Sequence, residues 1–153
     1  MSGGALTVWV AIPYACLTVF VLGHVWRYRT GKLTWTTRST QLLESRLLRI
    51  GSPLFHLGLL AVIGGHLLGI LVPERATEAV GVSEGLYHAV SVSAGTASGL
   101  AMSTGFAILL YRRTRVPRVR RTTTGADRAT YALLAIVIVT GMWATVGVNL
   151  IGG

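Results

Sequence analysis

Cysteine occurs once, at Cys16 in the middle of an apolar run. The chain therefore cannot close an intrachain disulfide, attach a haem through a C-x-x-C-H motif or build an iron–sulfur cluster by itself. Any haem would have to be the non-covalent b type. Charge is scarce too: Asp, Glu, Lys and Arg make up 12% of 153 residues against 52% hydrophobic ones, and mean hydropathy is +0.61. This excludes an ordinary soluble domain and points to a membrane protein. Acidic residues are the scarcest charges, 5 against 14 basic ones. The net charge of +9 is still not a nucleic-acid footprint, because most of the basic residues lie in two segments between apolar runs, where they act as topology signals. No nucleic-acid partner is expected. No basic segment precedes the first apolar run, which at about 22 residues exceeds the apolar core of a signal peptide, so it is expected to stay as a membrane anchor. Neither half of the chain repeats in the other, which argues against an inverted-repeat transporter.

What is present is apolar length. Runs free of Asp, Glu, Lys and Arg extend approximately over residues 5–26, 52–73, 86–111 and 129–150, each long enough to cross roughly 30 Å of hydrocarbon as a helix. The expectation is an all-α, polytopic transmembrane bundle, a single domain over residues 1–153 with four spans. Pro13 falls inside the first span, where a missing N–H would kink it. Pro53 is expected at the start of the second, where no intrahelical N–H is needed, and Pro73 at its end. Thr124-Gly-Ala-Asp127 has capping-box spacing and should start the fourth helix. Lys and Arg number 6 in residues 27–51, 1 in the second connection (Arg75) and 7 in residues 112–128. Basic loops stay on the cytoplasmic side, so residues 27–51 and 112–128 should be cytoplasmic and the N-terminus periplasmic.

Small residues mark candidate sites of close packing: Gly65-x-x-x-Gly69 in span two, and Gly95-x-x-x-Gly99 within a small-residue run in span three. Such faces admit a neighbouring helix or a flat cofactor. All four histidines, His24, His56, His66 and His88, fall at membrane depth or its edge, where ionisable groups are costly and usually functional. His56 and His66 share one span, about 15 Å apart along the axis and about 80° apart in azimuth. Both can face one bundle interior at two depths, His56 toward the cytoplasm and His66 toward the periplasm. The residues alone leave two readings open: ligands to two cofactors, with Gly64, Gly65 and Gly69 giving room for a porphyrin edge, or hydrogen bonds to neighbouring helices. His24, one turn before the basic loop, and His88, at the start of span three, read as interfacial.

Several stretches together resemble the gamma subunit of respiratory nitrate reductase, a di-haem cytochrome b. They are Trp26-Arg-Tyr, Leu33-Thr-Trp35 and Ser39-Thr-Gln-Leu-Leu43 in loop one, then Leu54-Phe-His-Leu-Gly58 and Gly65-His-Leu-Leu-Gly69 in span two. Ala94-Gly-Thr-Ala-Ser-Gly99, Pro117-Arg-Val-Arg and Thr122-Thr-Thr-Gly-Ala-Asp127 complete the set. The resemblance implies a five-span inner-membrane protein of bacteria that carries two b-type haems. It implies that His56 and His66 each supply one axial ligand to iron, to the cytoplasm-proximal and periplasm-side haem respectively. Quinol would be oxidised beside Gly65, His66 and Gly69. Electrons would pass to an iron–sulfur (beta) subunit and on to the molybdenum-containing (alpha) subunit, where nitrate is reduced; nitrate chemistry itself would lie outside this chain. Anionic phospholipid is expected at the basic loops, beside Arg27, Arg29, Arg112, Arg113, Arg118 and Arg120.

Two features depart from the family pattern. The family's partner ligands come from a fifth span, whereas this sequence runs to Gly153 after four, and it is expected to be a shortened form. Leu86 stands where the family places a basic residue near the outer quinol site, with Glu84 and His88 as the nearby polar groups. The rival readings are a haem-free membrane anchor for a cytoplasmic enzyme and a small transporter or channel subunit.

Overall fold

The computed structural model describes residues 4, 7–31, 40–72, 76–77 and 81–151. Pro73, Lys32, Arg38, Arg75, Ser39 and the 33–35 stretch of loop one lie outside them. Among the described residues every regular element is helical, and the chain divides into two compact units, Met1–Ser39 and Thr40–Gly153.

The first unit holds α1, Ile12–Thr30, preceded by a π-helical segment, Thr7–Ala11. Pro13 is in the first turn of α1, directly after that segment. Its missing N–H thus falls where the winding changes, not within a continuous α ladder. No residue of α1 is buried. Its polar side chains are satisfied within the helix: Thr18 and Thr30 donate to the carbonyls of Tyr14 and Trp26, each at 2.8 Å.

In the second unit, α2 (Arg46–Leu71) and α3 (Glu84–Arg115) form an antiparallel pair. A short turn, α4 (Pro117–Arg120), leads to α5 (Gly125–Met142), which continues as π-helical Trp143–Ile151. Among the described residues three helices are long and apolar enough to cross a membrane: Arg46–Leu71, Glu84–Arg115 and Gly125–Gly147. The expected first span overlaps α1, whose 19 residues include Arg27 and Arg29 and do not reach that standard. Leu57, Leu60, Leu67, Leu68, Ile70 and Leu71 turn outward from α2, a surface suited to hydrocarbon and unsuited to water.

Two helix starts follow from local chemistry. Thr124 Oγ1 accepts from the Asp127 N–H at 3.2 Å while Asp127 Oδ2 accepts from the Thr124 N–H at 2.8 Å, the reciprocal capping box that the sequence predicts. Ser83 caps α3 by accepting from the Leu86 N–H, after a turn in which Gly81 takes φ +79°. Pro53 differs from expectation: α2 begins at Arg46, so Pro53 lies inside the helix and leaves the Arg49 carbonyl without its ladder partner. A charge-free run marks hydrocarbon, and the helix reaches well past it into the basic end.

The helices meet through glycine. A Cβ on Gly58 would lie 2.5 Å from the Met102 nitrogen, and one on Gly51 would lie 2.8 Å from Ile108. Gly105 is crowded in the same way by the Phe55 backbone. Around this crossing Phe55, Met102, Phe106 and Ile138 form the core, with Tyr131, Leu134 and Met142 against it.

Candidate functional site

Beyond Gly58 the two long helices part. The packed stripe of α2 runs through Gly51, Phe55 and Gly58, and its continuation at heptad spacing is Val62, Gly65 and Gly69. No atom comes within 4 Å of the Cβ position of Gly64 or Gly65, and Gly69 has only the Tyr87 hydroxyl, at 4.0 Å. Of the two readings for Gly65 and Gly69, a neighbouring helix or a flat cofactor, no close helix approach is seen among the described residues, and the glycines that make one are Gly51, Gly58 and Gly105. Gly95 meets only Thr145, at 3.9 Å, whereas Gly99 lies against the Met142 sulfur.

His66 lies beside this opening, between Gly65 and Gly69, and His56 lies at the level of the packed crossing, next to Phe55. His56 Nδ1 lies 2.7 Å from the Ser52 carbonyl oxygen and His66 Nδ1 2.8 Å from that of Val62, in each case the residue one turn earlier. A carbonyl can only accept, so Nδ1 carries the proton in both rings and Nε2 is left with a lone pair directed away from the backbone. That tautomer is the one a metal-binding imidazole needs, with the carbonyl fixing ring orientation. The His56 ring is further held edge-on against Phe55, 5.3 Å between centroids at 85°. In helical rotation His66 lies about 50° and His56 about 130° from the middle of the packed stripe, on the same flank. Both are exposed. The expected common facing is thus a shared flank of α2, not a position in the core formed with α3.

His24 makes the same tether, to the Phe20 carbonyl at 2.8 Å, so the tether alone does not single out a ligand. His24 stacks against Phe20 at 4.2 Å. His88 lies on α3 beside Val92, Thr96 and Leu100 along an open cavity of about 580 Å³. Among the described residues no three His, Cys, Asp or Glu side chains gather into a cluster that could hold a metal ion.

At the opposite end of the pair, Arg112 is 4% exposed and makes four hydrogen bonds. It donates to Glu44 Oε2 at 2.6 Å, to Thr40 Oγ1 at 2.9 Å, and to the Thr40 and Glu44 carbonyls at 2.7 Å each. Desolvation pushes the Glu44 carboxyl up, but the Leu47 N–H and the Arg112 guanidinium outweigh it and hold the group below the usual carboxylate range. Arg113 pairs with Asp127 at 2.6 Å and lies over the Tyr131 ring, 5.8 Å from its centroid. Two of the six arginines expected to meet lipid or a partner, Arg112 and Arg113, are therefore engaged inside the chain. Arg46, Arg49, Arg115, Arg118, Arg120, Arg121 and Arg128 remain exposed without an acid partner among the described residues. Sequence reasoning missed the clamp, although Glu44 was the one acidic residue in a basic loop.

The nitrate reductase gamma subunit family profile matches residues 5–152. The chain belongs to the nitrate reductase gamma subunit family. It is 44% identical over 145 residues to the nitrate reductase gamma chain of Bacillus subtilis (strain 168), covering 95% of this chain and 64% of that one. Against the respiratory nitrate reductase 1 gamma chain of Escherichia coli (strain K12) it is 39% identical over 130 residues, 85% of this chain and 57% of that one. It is also 46% identical over 137 residues to the nitrate reductase-like protein NarX of Mycobacterium tuberculosis (strain H37Rv), 90% of this chain and 21% of that protein. The chain thus spans under two thirds of each relative. Membership, with three membrane-compatible helices among the described residues, makes this gamma-family chain a multi-pass protein of the bacterial inner membrane.

Proposed function

We propose that this chain is the quinol-oxidising cytochrome b part of a respiratory nitrate reductase. The carrying observation is the pair of tethered histidines, His56 and His66, on one flank of α2 with Nε2 free at two depths. Haem b, when bound, supplies a one-electron couple that accepts from quinol and delivers to an iron–sulfur partner. The residues present fit two such groups: single imidazoles with the correct tautomer, and open glycine surface at Gly64 and Gly65 beside the outer one. His56 and His66 would each hold one such group through Nε2.

In this reading the chain's own groups hold and orient. The Ser52 and Val62 carbonyls set the two ring planes. Gly65 and Gly69 let a flat quinol ring lie against the α2 backbone next to His66. The basic end faces the cytoplasm under the positive-inside rule, so quinol oxidised at the other end releases its two protons outward while its electrons move inward. The unpaired arginines of loop three then face the acidic surface of an iron–sulfur subunit or phospholipid headgroups.

Optical spectra of the purified complex test this reading. His66→Ala should remove one b-type component together with quinol-driven activity, and His56→Ala should remove the other while leaving the first reducible by quinol. Loss of the same component in both variants, or no haem in the wild type, would favour the haem-free anchor.

A further inference from the structure

The face of α3 that meets α2 carries Tyr87, Ser91, Ser98, Met102 and Gly105, at spacings of four, seven, four and three residues. Its inner members, Met102 and Gly105, touch the α2 backbone at Gly58 and Phe55. Of its outer members Tyr87 stands opposite Gly69, and Ser91 and Ser98 follow on that face by helical spacing. Three other α3 hydroxyls bond back into their own helix, Ser93 to the Val90 carbonyl, Ser103 to that of Gly99 and Thr104 to that of Leu100, whereas that of Thr96 is buried without a partner on another face. Ser91, Ser98 and Tyr87 make no such bond among the described residues. The Tyr87 hydroxyl ends 4.0 Å from the Gly69 Cβ position, so it reaches across the opening. A phenol at the edge of hydrocarbon without an acceptor or donor is costly, and a ligand that supplies one gains by it.

Building on the proposed quinol site beside His66, we propose that Tyr87 is a substrate-contacting residue of that site, hydrogen-bonding one oxygen of the quinol ring. The wall formed by Gly65 and Gly69 offers flat backbone for the ring and no competing hydroxyl, so polar recognition falls to the α3 side. Ser91, one turn or about 6 Å from Tyr87 along the axis, is spaced to meet the ring's second oxygen.

The test is steady-state oxidation of a short-chain naphthoquinol by the assembled membrane complex carrying Tyr87→Phe, with Tyr111→Phe as a control for loss of an exposed phenol at the other end of α3. Loss of one hydrogen bond of about 1.4 kcal/mol corresponds to a rise in KM of about tenfold. The expected result is that rise in Y87F alone, with kcat, the b-type spectrum and nitrate reduction driven by an artificial low-potential donor unchanged. An unchanged KM in Y87F, or an equal rise in Y111F, overturns the proposal. So does a changed haem spectrum in Y87F, which would make Tyr87 a packing residue. Failure of the quinol-site reading itself looks different: the wild-type complex would not oxidise the naphthoquinol.

Discussion

The two halves of the α2–α3 pair use the same residue for opposite ends. Around Gly51, Gly58 and Gly105, glycine brings two backbones together until a single added methyl group would collide. Around Gly64 and Gly65, glycine faces open space. The packed half holds the fold, through close van der Waals contact between helices that hydrocarbon alone would not drive together. The open half can be shaped by what it binds. Stability and ligand access are thereby separated along one helix, and a glycine's role is set by what stands opposite it.

Matched substitutions test that separation most directly. Gly58→Val should cost about 3 kcal/mol by overpacking against Met102, seen as lost complex yield and a lower unfolding midpoint in detergent. Gly65→Ala should cost no stability, and could gain up to about 1 kcal/mol in helix propensity, yet raise the quinol KM several-fold. Equal destabilisation by both would erase the distinction between the halves.

Next in size is Arg112→Ala, which removes four hydrogen bonds and the ion pair with Glu44 and should cost about 2 to 3 kcal/mol. Faster proteolysis of the 40–45 segment would report it. Arg118→Ser with Arg120→Ser should instead leave stability unchanged and weaken co-purification of the iron–sulfur subunit, since both side chains are exposed. If unpaired arginines serve topology only, complex yield will not move.

The smallest effect is pH-dependent. Because the Glu44 carboxyl lies below its ordinary 4.5, its contribution is complete above that value and is lost only as pH falls through the lower folded value. Protease sensitivity of the 40–45 segment should rise in that acid range in the wild type, and Glu44→Gln should show little change there.

What the sequence made legible was local. The long apolar runs, the basic ends, the Thr124–Asp127 capping box and the shared flank of His56 and His66 depend on residues within a few turns of each other. Pro53 was misplaced because hydropathy reports where hydrocarbon begins, while the helix starts earlier at Arg46. The Arg112–Glu44 contact joins residues 68 apart, and nothing in either neighbourhood announces it. Which glycines meet a helix was hidden for a related reason. Gly65-x-x-x-Gly69 has the familiar spacing, but contact needs a partner in register, and that partner meets α2 at Gly58 instead.

The clamp on Arg112 also has a consequence in time. Before the helices associate, Arg112 and Arg113 are free cations at the end of a nascent span and, in the orientation proposed above, would count toward its retention on the cytoplasmic side, where acidic residues contribute little. Once the inserted helices meet, Glu44 and Asp127 neutralise them. The same two charges thus act first as an address and later as a latch. Orientation is decided before the latch exists, so removing Glu44 should loosen the finished protein without turning it over in the membrane.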